Sequence, residues 1–137
     1  MSLETNDALL QQLWDGFNER NLDIIFELAS PDYVDYAVPP GMPATREGWK
    51  MLNTGFIAAF PDSQVQKLDI ISAENHVIGR FKLTGTHQGE LMGIPATNQS
   101  IDVSAIMILH IQNGKFIERW EEFDTMTMMQ QLNVTGN

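Results

Sequence analysis

Near its C-terminal end the chain gathers four carboxylates, Glu118, Glu121, Glu122 and Asp124, around Trp120. The segment Lys115–Phe123 reads as a strand. Alternation then sets Ile117, Arg119, Glu121 and Phe123 on one face, and Phe116, Glu118, Trp120 and Glu122 on the other. Glu121 is the carboxylate that shares a face with apolar neighbours. A carboxyl held in apolar surroundings has its pKa raised toward neutrality and becomes a usable general acid or base. The competing reading is a solvated acidic strand edge, and a one-residue slip would hand the role to Glu122 or Asp124.

Two further residues are catalytic candidates. Asp35 lies beside Tyr36 in an earlier short strand, where it either bonds backbone at the strand end or orients a carbonyl or water at a pocket mouth. His87 closes a long strand in Gly85-Thr86-His87-Gln88-Gly89 and reads as a structural or substrate-positioning histidine.

Other chemistries lose their residues. With no cysteine, disulfides, thiolate nucleophiles and Cys-based metal sites are excluded. There is no phosphate loop, glycine-rich dinucleotide turn, Gly-x-Ser-x-Gly elbow or His-Glu-x-x-His, and His76, His87 and His110 lack metal-ligand spacing. No metal and no cofactor are expected, and activity should survive chelators. The net charge of −10, with 8 basic against 18 acidic residues, argues against nucleic acid and anionic membranes as partners. No apolar run approaches the roughly 18 residues of a membrane span, and the N-terminus lacks a signal-peptide layout, so a cytoplasmic location is expected.

The elements that must position these groups follow from periodicity. Leu10, Leu13, Trp14 and Phe17 recur at helical spacing from about Asp7 to Arg20, with Asn6 as the expected N-cap. A short helix over Asp23 to Ala29 must stop before Pro31. Tyr33 to Val38 reads as a strand running into Pro39-Pro40-Gly41-Met42-Pro43. Thr45 then caps a third helix, whose stripe is Trp49, Leu52, Phe56 and Phe60 until Pro61 ends it. Gly48 and Gly55 weaken this helix and suit close packing by a neighbour.

From Gln64 the period changes to that of strands: Gln64–Ser72, His76–Gln88, Ser100–Ile111 and Lys115–Phe123, with Gln112-Asn113-Gly114 a strong hairpin signal. A last short helix covers Thr125 to Leu132. Helices first and antiparallel strands after make an α+β fold. The expectation is one domain over residues 1–137, a cone in which a strongly curved antiparallel sheet carries about three N-terminal helices on its concave face. The pocket inside would be lined by Trp14 and Phe17 from the first helix, Tyr33, and Trp49, Met51 and Phe56 from the third. Met107, Arg119 and Phe123 would complete it from the strands. Met107 and its fellow methionines offer flexible apolar lining, though core packing explains most of them. On the outer face Phe116, Trp120, Ile106 and Ile108 form an apolar patch that predicts a homodimer through the sheet.

The block Gly85-Thr86-His87-Gln88-Gly89-Glu90-Leu91-Met92-Gly93-Ile94-Pro95-Ala96-Thr97 resembles the corresponding block of the SnoaL-like polyketide cyclases. So does Gly114-Lys115-Phe116-Ile117-Glu118-Arg119-Trp120, followed by Asp124 and Gln131-Leu132. Ala59-Phe60-Pro61-Asp62 and Pro31-Asp32-Tyr33 also match, so the resemblance spans nearly the whole chain. It implies the nuclear transport factor 2-like fold and a metal-free, cofactor-free intramolecular aldol condensation on a polyketide ester; the partner expected for this chain is a small hydrophobic carbonyl compound. The cyclases' catalytic Asp in the last strand aligns with Glu121, one methylene longer. Their histidine on the preceding strand aligns with Met107, which cannot replace its hydrogen bonds, and this departure counts against the same reaction. A pocket asparagine aligns with Asp35, so two carboxylates would share the cavity and repulsion would hold one protonated. Such a pair also suits isomerisation, dehydration or epoxide opening. Two other functions remain open: a non-catalytic binder of a small hydrophobic ligand, and an interaction module that uses only the sheet.

Overall fold

The computed structural model describes residues 3–134. Its elements are α1 (Leu3–Asn18), α2 (Ile24–Leu28), β1 (Ala29–Asp35), α3 (Arg46–Ala59), β2 (Gln64–Ser72), β3 (His76–Thr86), β4 (Ser100–Gln112), β5 (Lys115–Phe123) and α4 (Thr125–Gln131). They form an α+β fold around one five-stranded sheet ordered β1-β5-β4-β3-β2. β2 to β5 pair antiparallel, as expected, but β1 joins the edge of β5 in parallel, so the sheet is mixed. β1 also starts earlier than the sequence suggests. Pro31 lies inside it, which an edge strand tolerates because one side makes no ladder bonds.

Inward residues alternate without a break along β4, where Ile101, Val103, Ala105, Met107, Leu109 and Ile111 are all buried. A β-bulge interrupts β5: His110 pairs with Glu118, yet Ile111 pairs with Phe116, leaving Ile117 as the extra residue. Arg119, Glu121 and Phe123 keep the predicted inward parity. Phe116 does not keep its predicted outward one and is fully buried against Trp49, so it leaves the expected outer patch.

Asn6 corrects a second expectation. It is a buried residue inside α1 rather than its cap, and its amide donates to the carbonyls of Ala73 and Glu74 in the β2–β3 turn. Thr45 does cap α3, accepting a bond from the Gly48 N–H. Gly48 is required there, since a Cβ would stand 1.7 Å from the Pro43 carbonyl oxygen; Gly55 has open space around it.

Two apolar clusters fill the concave side. One joins Leu10, Leu13 and Trp14 of α1 to α2, Tyr33, Trp49 and the inward residues of β3 to β5. The other joins Phe17, Phe60 and Leu91 to Leu83, Ile101, Val103 and the C-terminal Met128 and Leu132. They do not close on each other completely, and the space left is the cavity described next.

Candidate functional site

A cavity of about 340 Å³ lies inside the cone. Its wall is apolar: Trp14 and Phe17 from α1, Trp49 and Phe56 from α3, Phe81 and Met107 from the sheet, and Phe123, Met128 and Met129 at the C-terminal side. The charged side chains in that wall are Arg119 and Glu121. A largely apolar enclosure with a few convergent polar groups is the usual form of a small-molecule site.

The parallel pairing of β1 with β5 builds the polar corner. It sets Asp35 directly beside Arg119 in register, although 84 residues separate them. Arg119 Nε donates to Asp35 Oδ2 at 2.8 Å and Nη2 donates to Oδ1 at 3.3 Å. Nη1 donates to Glu121 Oε1 at 2.9 Å. The Tyr33 hydroxyl donates to Asp35 Oδ2 at 2.6 Å, and the Ala37 N–H donates to Oδ1 at 2.8 Å. Both Asp35 oxygens are therefore occupied. The guanidinium lies over the Trp49 ring, 5.1 Å from its centroid, and Trp49 in turn stacks on Tyr33.

The two carboxylates have different surroundings. Asp35 is buried behind Arg119, outside the cavity wall, so the expected pair of acids sharing one cavity is not what the fold makes. Arg119 stands between them instead. Glu121 faces the cavity, with 17% of its side chain exposed. Burial raises its pKa above the ordinary value; the Arg119 charge opposes that shift and the Asp35 charge adds to it. Burial alone would lower the Arg119 pKa, but the Glu121 and Asp35 charges outweigh it and keep the guanidinium firmly charged. Burial pushes the Tyr33 phenol up, so it stays protonated and donates to Asp35.

The other sequence-predicted residues divide. Glu122 points outward and is exposed, and Asp124 accepts from the Thr127 N–H as the N-cap of α4, so neither reaches the cavity. His87 is fully buried but outside the cavity wall; it stacks on Phe60, and its Nδ1 accepts from the Thr97 N–H at 3.2 Å. Its Nε2 is buried without a hydrogen-bond partner among the described residues, and the ring does not reach the cavity. Met51 is half exposed because it lies off the Trp49–Phe56 stripe of α3, and Tyr33 sits behind the wall with Asp35. Trp14, Phe17, Trp49, Phe56, Met107, Arg119 and Phe123 do line the cavity. Sequence reasoning placed Arg119 in the lining but missed its role as the link between both acids. The available signal was a cation on the inward face of β5, which needs a buried partner.

A family model described as SnoaL-like polyketide cyclase matches residues 7–132. The chain belongs to that family. A search of curated proteins finds no match. Among solved structures, IdmH from Streptomyces antibioticus, a proposed polyketide cyclase, is 31% identical with a TM-score of 0.82, over 94% of this chain and 99% of that one. AclR from Streptomyces galilaeus, a proposed hydroxylase, is 28% identical with a TM-score of 0.87, over 98% and 99%. TsrD from Streptomyces laurentii, at 21% identity and a TM-score of 0.90 over 98% and 99%, is similar in fold. The cone is thus the nuclear transport factor 2-like fold of this family. No helix of the described residues is long and apolar enough to cross a membrane.

Proposed function

We propose that this SnoaL-like protein is a small-molecule enzyme that uses Glu121 as a general acid/base on an enolisable, largely apolar carbonyl compound held in the cavity. The observation that carries the reading is the position of Glu121: one oxygen is held by Arg119 while the carboxyl faces an apolar enclosure that raises its pKa. In this reading ionised Glu121 removes a proton from the carbon next to a carbonyl. The electrons pass to the carbonyl oxygen, and the enolate carbon attacks a second carbonyl of the same molecule. The resulting alkoxide then takes the proton back from Glu121. The balance closes with neither cofactor nor oxidant.

Asp35 acts as a positioning residue through Arg119, whose direction it fixes. Arg119 contributes positive charge at the cavity wall where enolate charge develops. His87 is left to structure. The test is α-proton exchange: 2-tetralone in D₂O, followed by NMR, with and without protein. Exchange no faster than in buffer, despite measurable binding of the ketone, would favour the binder reading over the enzyme.

The outer face supports a homodimer. Ile106, Ile108 and Trp120 are 44%, 36% and 38% exposed and adjoin one another across β4 and β5. They are flanked by Arg80 and His76 on the β3 side and by Glu122 and Glu118 on the β5 side. A two-fold axis along β4 would lay each β3 over the partner's β5, placing Arg80 opposite Glu122 and His76 opposite Glu118. Sedimentation should show a dimer at micromolar concentration and a monomer for Trp120→Glu with its circular dichroism unchanged. A wild-type monomer at that concentration would overturn the proposal.

A further inference from the structure

The segment between β3 and β4 carries a two-residue turn in which the Leu91 N–H donates to the Ile94 carbonyl at 3.0 Å and the Ile94 N–H donates to the Leu91 carbonyl at 2.8 Å. Both central residues have positive φ, Met92 at +47° and Gly93 at +85°. Such turns call for Asn, Asp or Gly, because a side chain in this region crowds its own backbone. Gly93 meets that demand; Met92 does not. The other non-glycine residues with positive φ have local reasons. Asn98, Asn113 and Asn133 are of the tolerant type, and Arg20 repays its conformation by donating to the carbonyls of Phe17, Pro61 and Ser63. A thioether side chain makes no such bonds. Burial does not compensate either, since Met92 is 75% exposed.

Yet Met92 belongs to the cavity wall, next to Leu91, which is packed in the second apolar cluster with Phe17 and Met128. A residue both largely exposed and part of the wall stands at the mouth. Strain held at a cavity mouth without local repayment marks a residue kept for what it contacts. We propose that Met92 is the specificity-determining residue of the mouth: its flexible apolar side chain covers the outer end of a ligand long enough to reach from Glu121 to the opening, selecting longer apolar compounds over shorter ones. This rests on the reading of the cavity as a ligand site.

Binding is read by quenching of Trp14 and Trp49 with two ketones, bicyclic 2-tetralone and tricyclic anthrone. Met92→Asn should raise Tm by about 2 °C by relieving the turn, and weaken anthrone binding about tenfold while changing 2-tetralone by less than about twofold. Met92→Leu should restore anthrone affinity without the gain in Tm. If Met92→Asn binds anthrone as wild type does, the assignment is overturned while the cavity reading stands. If wild-type protein binds neither ketone, both are overturned.

Discussion

Glu121→Gln should slow α-proton exchange of 2-tetralone by about 100- to 10,000-fold, the usual contribution of a general acid/base, with ketone binding retained. The substitution preserves shape and the Oε1 bond from Arg119, so what it removes is the ability to carry a proton. The wild-type rate should rise with pH through the Glu121 pKa, at a midpoint above the ordinary 4.5, and this limb should be missing from the variant. The sign for stability is opposite. Because the folded pKa is raised, the carboxyl's favourable contribution is complete below its unfolded value and is lost as pH rises through the folded one. Wild type should therefore lose stability relative to Glu121→Gln across that window, measured by urea unfolding at a series of pH values. Full turnover in Glu121→Gln, with loss in Glu122→Gln or Asp124→Asn, would mean that the inward register of β5 is wrong.

Arg119→Met should destabilise the fold by about 3–5 kcal/mol, since breaking a buried ion pair by removing one partner leaves the other charge uncompensated. For a chain of this size that corresponds to a Tm lower by about 10–17 °C. Asp35 would keep only the Tyr33 hydroxyl and the Ala37 N–H as donors, and it has no exposure through which water could replace the guanidinium. The parallel pairing of β1 on β5 would lose its one charged cross-link. Combining Arg119→Met with Asp35→Leu and Tyr33→Phe should recover part of the loss, because Asp35 and Tyr33 are then no longer buried unpaired, whereas Glu121 still lacks the Arg119 donor. Denaturant unfolding of the single and triple variants separates the cases. A single variant within about 1 kcal/mol of wild type would show that the pair is not what holds β1 in place.

What could be read from the chain alone was whatever depends on nearby residues. Periods of 3.6 and 2 are local properties, so α3 with its Thr45 cap and the bounds of β2 and β5 were legible, as was the inward parity of Arg119, Glu121 and Phe123. Motif spacing carried the family for the same reason. The bulge at Ile117 was not legible, because one extra residue in a strand leaves composition unchanged and only the partner strand reveals it; Phe116 went to the wrong face on that account. Tertiary structure alone decided that Asp35 lies beside Arg119, since a parallel edge pairing across 84 residues has no local signature. It also decided which acid faces the cavity. Asp35 and Glu121 are both carboxylates on inward positions, and their difference comes from the cation set between them: Arg119 occupies both oxygens of the one and a single oxygen of the other. Residue type supplies the proton-carrying group, but the depth of burial and the charges facing it set its pKa, and those exist only once the sheet has closed.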